Sequence, residues 1–164
     1  SSSDISDIPQ TVIGQGNTLI SPLHNALIMC AIANGGVLMK PRLIDKVESA
    51  DGALIKKEHS SSYGQIFDST EVSKIIPMLE GVSTYGTASG NLGGKPYTTA
   101  GKTGTAEVDG EGHLNSWYVG FSNVDNPDLV VCVLVENYDA YQVSGSYIAS
   151  QVFDTYYNGK GDSQ

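Results

Sequence analysis

Between residues 22 and 33 the apolar positions run almost the whole way round a helix. Leu23, Ala26, Leu27, Cys30 and Ala31 form one stripe, and Ile28, Met29 and Ile32 widen it. Ser21-Pro22 supplies a serine N-cap and a proline at the first helical position, and Asn34-Gly35-Gly36 supplies the stop. A helix this apolar is buried at the centre of a domain, or it lacks one covering layer. A second helix is predicted after Asp68, where Asp68 to Glu71 resembles a capping box. Val72, Ile75, Ile76, Leu79 and Val82 then give the clearest amphipathic period in the chain. The last helix is predicted over 146–157, with Ile148, Ala149, Val152, Phe153 and Tyr156 as its stripe and Asn158-Gly159 as its stop.

The remaining apolar runs read as strands. Residues 42–47 and 53–57 flank Asp51-Gly52, a pair that accepts the positive φ of a tight hairpin turn. Residues 59–63 read as a serine-rich loop. Three strands follow at about 96–108, 114–122 and 129–136, joined by turns at 109–113 and 123–127, and connections this short imply an antiparallel meander. The run from Leu129 to Val135 is apolar at every position, so helices should cover both of its faces. The fold class is therefore α+β, an antiparallel sheet flanked by helices.

Length and charge narrow the function. The chain's 164 residues are enough for one domain with a real core, and its formal net charge of −9 argues against nucleic acid or an anionic membrane surface as partner. The seven-residue run at 129–135 is too short to cross a bilayer. No signal peptide is visible, and the opening Ser1-Ser2-Ser3-Asp4 resembles a loop or a fragment edge. Cys30 and Cys132 read as buried free thiols, with a disulfide left open.

Candidate chemistry concentrates in Ala100-Gly101-Lys102-Thr103-Gly104-Thr105-Ala106-Glu107. Lys102 offers a charge and Thr103 and Thr105 offer hydroxyls to a carboxylate, and charge-assisted bonds are about twice as strong as neutral ones. Gly101 and Gly104 suit a strand that a ligand must approach closely. A peptide adding itself as a further strand would bond to this backbone. A phosphate-binding loop is excluded, because the required first glycine is Pro96 and strand rather than helix follows. Asp109, Glu111 and His113 read as a solvated hairpin tip, since Tyr118 stands where a calcium loop needs glutamate. His24 and His59 have no ligand partner at zinc spacing. No metal or cofactor is implied. Tyr138, Tyr141, Tyr147, Tyr156 and Tyr157 read as packed rather than as a sugar or peptide surface.

Several motifs together resemble the penicillin-binding protein transpeptidases, especially the monofunctional class B group. Ile13-Gly14-Gln15-Gly16 precedes Ile20-Ser21-Pro22-Leu23 and Ala33-Asn34-Gly35-Gly36. Gly86-Thr87-Ala88, the Lys102-Thr103-Gly104 triplet and Trp117-Tyr118-Val119-Gly120-Phe121 follow in the family's order. The resemblance covers about residues 11–157 and implies a partial penicillin-binding protein/β-lactamase-like fold, its C-terminal portion. The family's S-x-x-K nucleophile motif is absent, and Ser89-Gly90-Asn91 matches S-x-N only by chance, in what reads as a flexible loop.

The resemblance implies an acyl-serine D,D-transpeptidase. Such an enzyme crosslinks peptidoglycan stem peptides in cell-wall synthesis and cell shape, and β-lactams acylate it. Lys102 would assist catalysis. Lys102, Thr103, Gly104 and Thr105 would bind substrate, with the Thr105 backbone N–H in the oxyanion hole. The full-length parent would be membrane-anchored at the extracytoplasmic face of a bacterial cell. This chain alone would be inactive. It would pair with the N-terminal half of its own domain or, through an exposed edge, form a homodimer. The alternatives are a non-catalytic peptide- or protein-binding module and a β-lactam sensor domain.

Overall fold

The structure is a computed structural model and describes residues 19–108, 112–138 and 143–161. Ile13-Gly14-Gln15-Gly16, Asp109, Glu111 and Tyr141 lie outside the described residues, as does the side chain of Tyr138.

Helix α1 spans Pro22–Ala33, and Ser21 caps it by accepting a hydrogen bond from the His24 amide at 3.2 Å. Met29 and Ala31 are buried while Leu23 is exposed. One side is thus covered and the other half open, the second of the two conditions that its all-round apolar pattern predicts. Strands β1 (Val37–Met39) and β4 (Ser62–Gln65) pair antiparallel, so part of the serine-rich stretch is strand. Strands β2 (Lys46–Glu48) and β3 (Leu54–Lys57) form the predicted hairpin, with Gly52 at φ 85° in its turn. The hairpin stands clear of the body, every residue of both strands exposed.

Helix α2 covers Ser69–Thr84. Asp68 accepts from the amides of Thr70 and Glu71 at 2.8 and 3.2 Å, but Glu71 turns outward to Lys74 instead of completing the capping box. Val72 is buried, whereas Ile75, assigned to the stripe from the sequence, is exposed. The helix packs chiefly against one strand, which leaves its buried face narrower than the period suggests. A single-turn helix, α3 (Ser89–Leu92), occupies the stretch read as a flexible loop.

The central sheet is β5 (Thr99–Glu107), β6 (Leu114–Ser122) and β7 (Leu129–Tyr138), the predicted antiparallel meander in the order β5-β6-β7. Helix α4 spans Gly145–Gly161, running past Asn158-Gly159. Alternation along the strands divides the core in two. Tyr118 and Val131 face α3 and α4, packing with Leu92, Ala149 and Phe153. Ala100 and Phe121 face α1 and α2, packing with Met29, Ile76 and Leu79. The sheet is thus covered on both faces, as the unbroken apolar run requires.

Candidate functional site

Strand β5 lies at the edge of the sheet and bonds only to β6 among the described strands. Its first three residues, Thr99 to Gly101, are buried, and cover ends at Lys102. Lys102, Thr103, Gly104 and Thr105 therefore occupy the first exposed stretch of an open edge. Their partners across the ladder are Val119, Tyr118, Trp117 and Ser116. On such an edge, alternate residues present backbone N–H and C=O groups to whatever docks there.

The side chains divide by parity. Lys102 and Gly104 share the face of Ala100, and Thr103 and Thr105 share the face of Gly101. Lys102 therefore leaves the strand on one face and the two threonines on the other. Lys102 donates from Nζ to the Thr103 carbonyl at 2.5 Å, which holds the ammonium against the strand. The Thr103 hydroxyl lies 2.7 Å from that of Thr87, which stands just before α3.

The two glycines do different work. A Cβ on Gly101 would lie 2.5 Å from Tyr118 Oη and 2.8 Å from the Val119 carbonyl oxygen. Gly101 thus makes way for a core ring from the next strand, not for a ligand. Beside Gly104 the nearest atom is Trp117 Cβ at 3.5 Å, so that position is open. Tyr118 is fully buried, and burial pushes its hydroxyl up to about 12. Ser83 and Thr99 turn their hydroxyls toward it and temper that shift, without any of the three meeting a partner at hydrogen-bond geometry.

A network behind the strand holds α4 in place. Asp154 accepts from Lys95 Nζ at 2.6 Å and from the Tyr97 hydroxyl at 2.7 Å. Those bonds hold its carboxyl below the usual carboxylate range. Tyr97 stacks on Tyr157 at 4.5 Å, and Tyr157 donates to Asp128 in the turn before β7. Tyr156 meets the Tyr157 ring edge-on, so both tyrosines are packed as the sequence suggests, while Tyr147 is exposed. Asn91 donates to the Ser146 hydroxyl at 2.9 Å, which directs it at α4 and not at β5. His24 is engaged through its backbone at the α1 cap. Val108 donates to the His113 carbonyl and closes the β5–β6 hairpin. Cys30 and Cys132 are free, half-buried thiols, and burial raises both. A cavity of about 200 Å³ behind the start of β5 is lined by Glu80, Ser83, Thr84, Thr98 and Thr99, and does not reach Lys102. Among the described residues no helix is long and apolar enough to cross a membrane.

The model of the penicillin binding protein transpeptidase domain matches residues 2–158 of this chain. The peptidoglycan D,D-transpeptidase PbpA of Mycobacterium tuberculosis is 29% identical over 153 residues, which cover 91% of this chain and 31% of the relative. Penicillin-binding protein 3 of Bacillus subtilis is 34% identical over 135 residues, covering 79% of this chain and 19% of that protein. The solved structure of penicillin-binding protein A from M. tuberculosis as an imipenem acyl-enzyme complex superposes with a TM-score of 0.78 at 28% identity. That likeness covers 92% of this chain and 34% of the solved one. The chain thus spans about a third or less of the length of these relatives.

Proposed function

This chain belongs to the penicillin-binding protein transpeptidase family, and on that footing we propose that it is the substrate-binding portion of a serine D,D-transpeptidase. The reaction is acyl transfer. A serine hydroxyl attacks the carbonyl between the last two D-alanines of a stem peptide, the terminal D-alanine leaves, and an amine of a neighbouring stem releases the ester as a crosslink. A β-lactam acylates the same serine through its strained amide. No serine in this chain has a lysine three residues later, so the nucleophile belongs elsewhere in the longer protein and the chain alone is inactive. The longer protein works at the extracytoplasmic face of a bacterial membrane, and its N-terminal half packs against this one.

The observation that carries this reading is that Lys102-Thr103-Gly104-Thr105 begins where the cover of an edge strand ends. A peptide can lie along β5 as a further strand. Thr103 and Thr105 then donate hydroxyl protons to its terminal carboxylate, and Lys102 supplies positive potential. The Thr105 amide is placed to donate to the carbonyl oxygen as it gains charge. Such a preformed donor acts at the transition state without reorganising.

The test uses the full-length protein, mixed with a fluorescent penicillin, denatured and run on a gel. A covalent band is expected, and Lys102→Ala should slow its appearance roughly 100- to 1000-fold, the range for loss of one preorganised electrostatic group. A folded protein that takes no label would overturn the transpeptidase assignment. Labelling at an undiminished rate in Lys102→Ala would remove Lys102 from the site.

A further inference from the structure

Gly86-Thr87-Ala88 lies between α2 and α3, and each residue has a separate role. A Cβ on Gly86 would lie 2.8 Å from Val82 Cα, so only glycine closes the chain this tightly. The Gly86 amide donates to the Gly81 carbonyl at 2.8 Å, and the Ala88 amide donates to that of Val82 at 3.0 Å. Ala88 is fully buried in the core that holds Leu92 and Phe153. The backbone is thus pinned on both sides of Thr87. Its exposed side chain places a hydroxyl 2.7 Å from that of Thr103, 16 residues later.

A hydroxyl has one proton and two lone pairs, and a carboxylate has lone pairs only. If Thr103 gives its single proton to a substrate carboxylate, the contact with Thr87 must run the other way, with Thr87 as donor. We infer that Thr87 is a positioning residue for carboxylate recognition. Its proton goes to Thr103, which commits the Thr103 proton to the carboxylate of a stem peptide or a β-lactam. The donated bond also polarises the Thr103 hydroxyl and strengthens it as a donor. Thr87 touches no reacting atom and acts only through Thr103. This role rests on the proposal that the K-T-G strand binds the substrate carboxylate.

The experiment measures the second-order rate of acylation of the full-length protein by a fluorescent penicillin and by its methyl ester. The variants are Thr87→Val, Thr87→Ser, Thr103→Val and the double Thr87→Val/Thr103→Val. For the acid, Thr87→Val should slow acylation about 10-fold, the scale of one hydrogen bond serving a charged group. Thr87→Ser should stay near wild type, and the double variant should match Thr103→Val. For the ester, which carries no anion, Thr87→Val should react like wild type. Equal losses for acid and ester, or multiplied losses in the double variant, would mean a merely structural role and overturn the inference, as would an unchanged Thr87→Val. Thr87→Ala removes the same proton with less bulk and answers the question if the valine variant does not fold. A wild type that takes no label overturns the transpeptidase reading and this role together. A labelled wild type with an indifferent Thr87→Val overturns this role alone.

Discussion

Two glycines three residues apart in β5 show how a single residue type serves packing and access separately. Gly101 sits against the Tyr118 hydroxyl and the Val119 carbonyl, both held in the fully formed β6. A methyl group there forces Tyr118 out of a core in which it is fully buried. Gly101→Ala should therefore destabilise the fold by about 1–3 kcal/mol, the usual cost of overpacking. Gly104 faces only Trp117 Cβ, at an ordinary contact distance. Gly104→Ala should leave stability within about 0.5 kcal/mol, as expected for a substitution away from buried features, and instead obstruct a ligand along the edge. Denaturant unfolding separates the two. Equal destabilisation by both substitutions would refute the division.

At the scale of elements, α4 is tied to the segment leading into β5 through Lys95, Tyr97 and Asp154. The Asp154 carboxyl is lowered chiefly by its bond from Lys95 and then by that from Tyr97. A folded-state value below the unfolded one means that the contribution is present above the ordinary aspartate range, near pH ~3.9. It is lost as pH falls through the folded value. The group is partly exposed, so its worth at neutral pH is about 0.5–1 kcal/mol. Asp154→Asn should lower the melting temperature at pH 7, and the gap from wild type should close below pH ~4. A gap that persists at low pH would assign the loss to packing instead. Of the elements that this network joins, α4 was legible through its 3.6 period, and β5 through its small residues and the Lys102-Thr103-Gly104 triplet rather than through alternation, since its buried residues form one block at 99–101. Strands β1 and β4 were not, since three and four residues carry no period and their pairing spans two intervening strands. The triplet at 102–104 was legible as a motif. The Thr87–Thr103 contact was not, because it depends on how tightly Gly86 closes the turn after α2.

For the molecule as a whole, the central sheet has two edges with different fates. The β5 edge is short in exposed length, carries Lys102 and is suited to a transient peptide. The β7 edge belongs to a ten-residue strand of which Leu129 to Val135 are all apolar, and among the described strands only β6 bonds to it. A long apolar edge is a template for pairing with another chain. On the proposal that an N-terminal half packs against this one, a strand of that half would take the β7 edge. In the chain by itself a second copy is the available partner, and a two-fold arrangement would join two β7 strands antiparallel. The net charge of −9 opposes this approach, and salt screens such repulsion within roughly 8–10 Å at 0.1–0.15 M. Association should therefore strengthen as salt is raised, the reverse of a contact made by ion pairs. Sedimentation equilibrium is expected to show the 17.3 kDa chain moving toward twice that mass with concentration, at lower concentrations in higher salt. A compact monomer throughout would mean that the β7 edge is protected within the chain itself. A dimer that salt dissolves would place the contact on charged surface and away from β7.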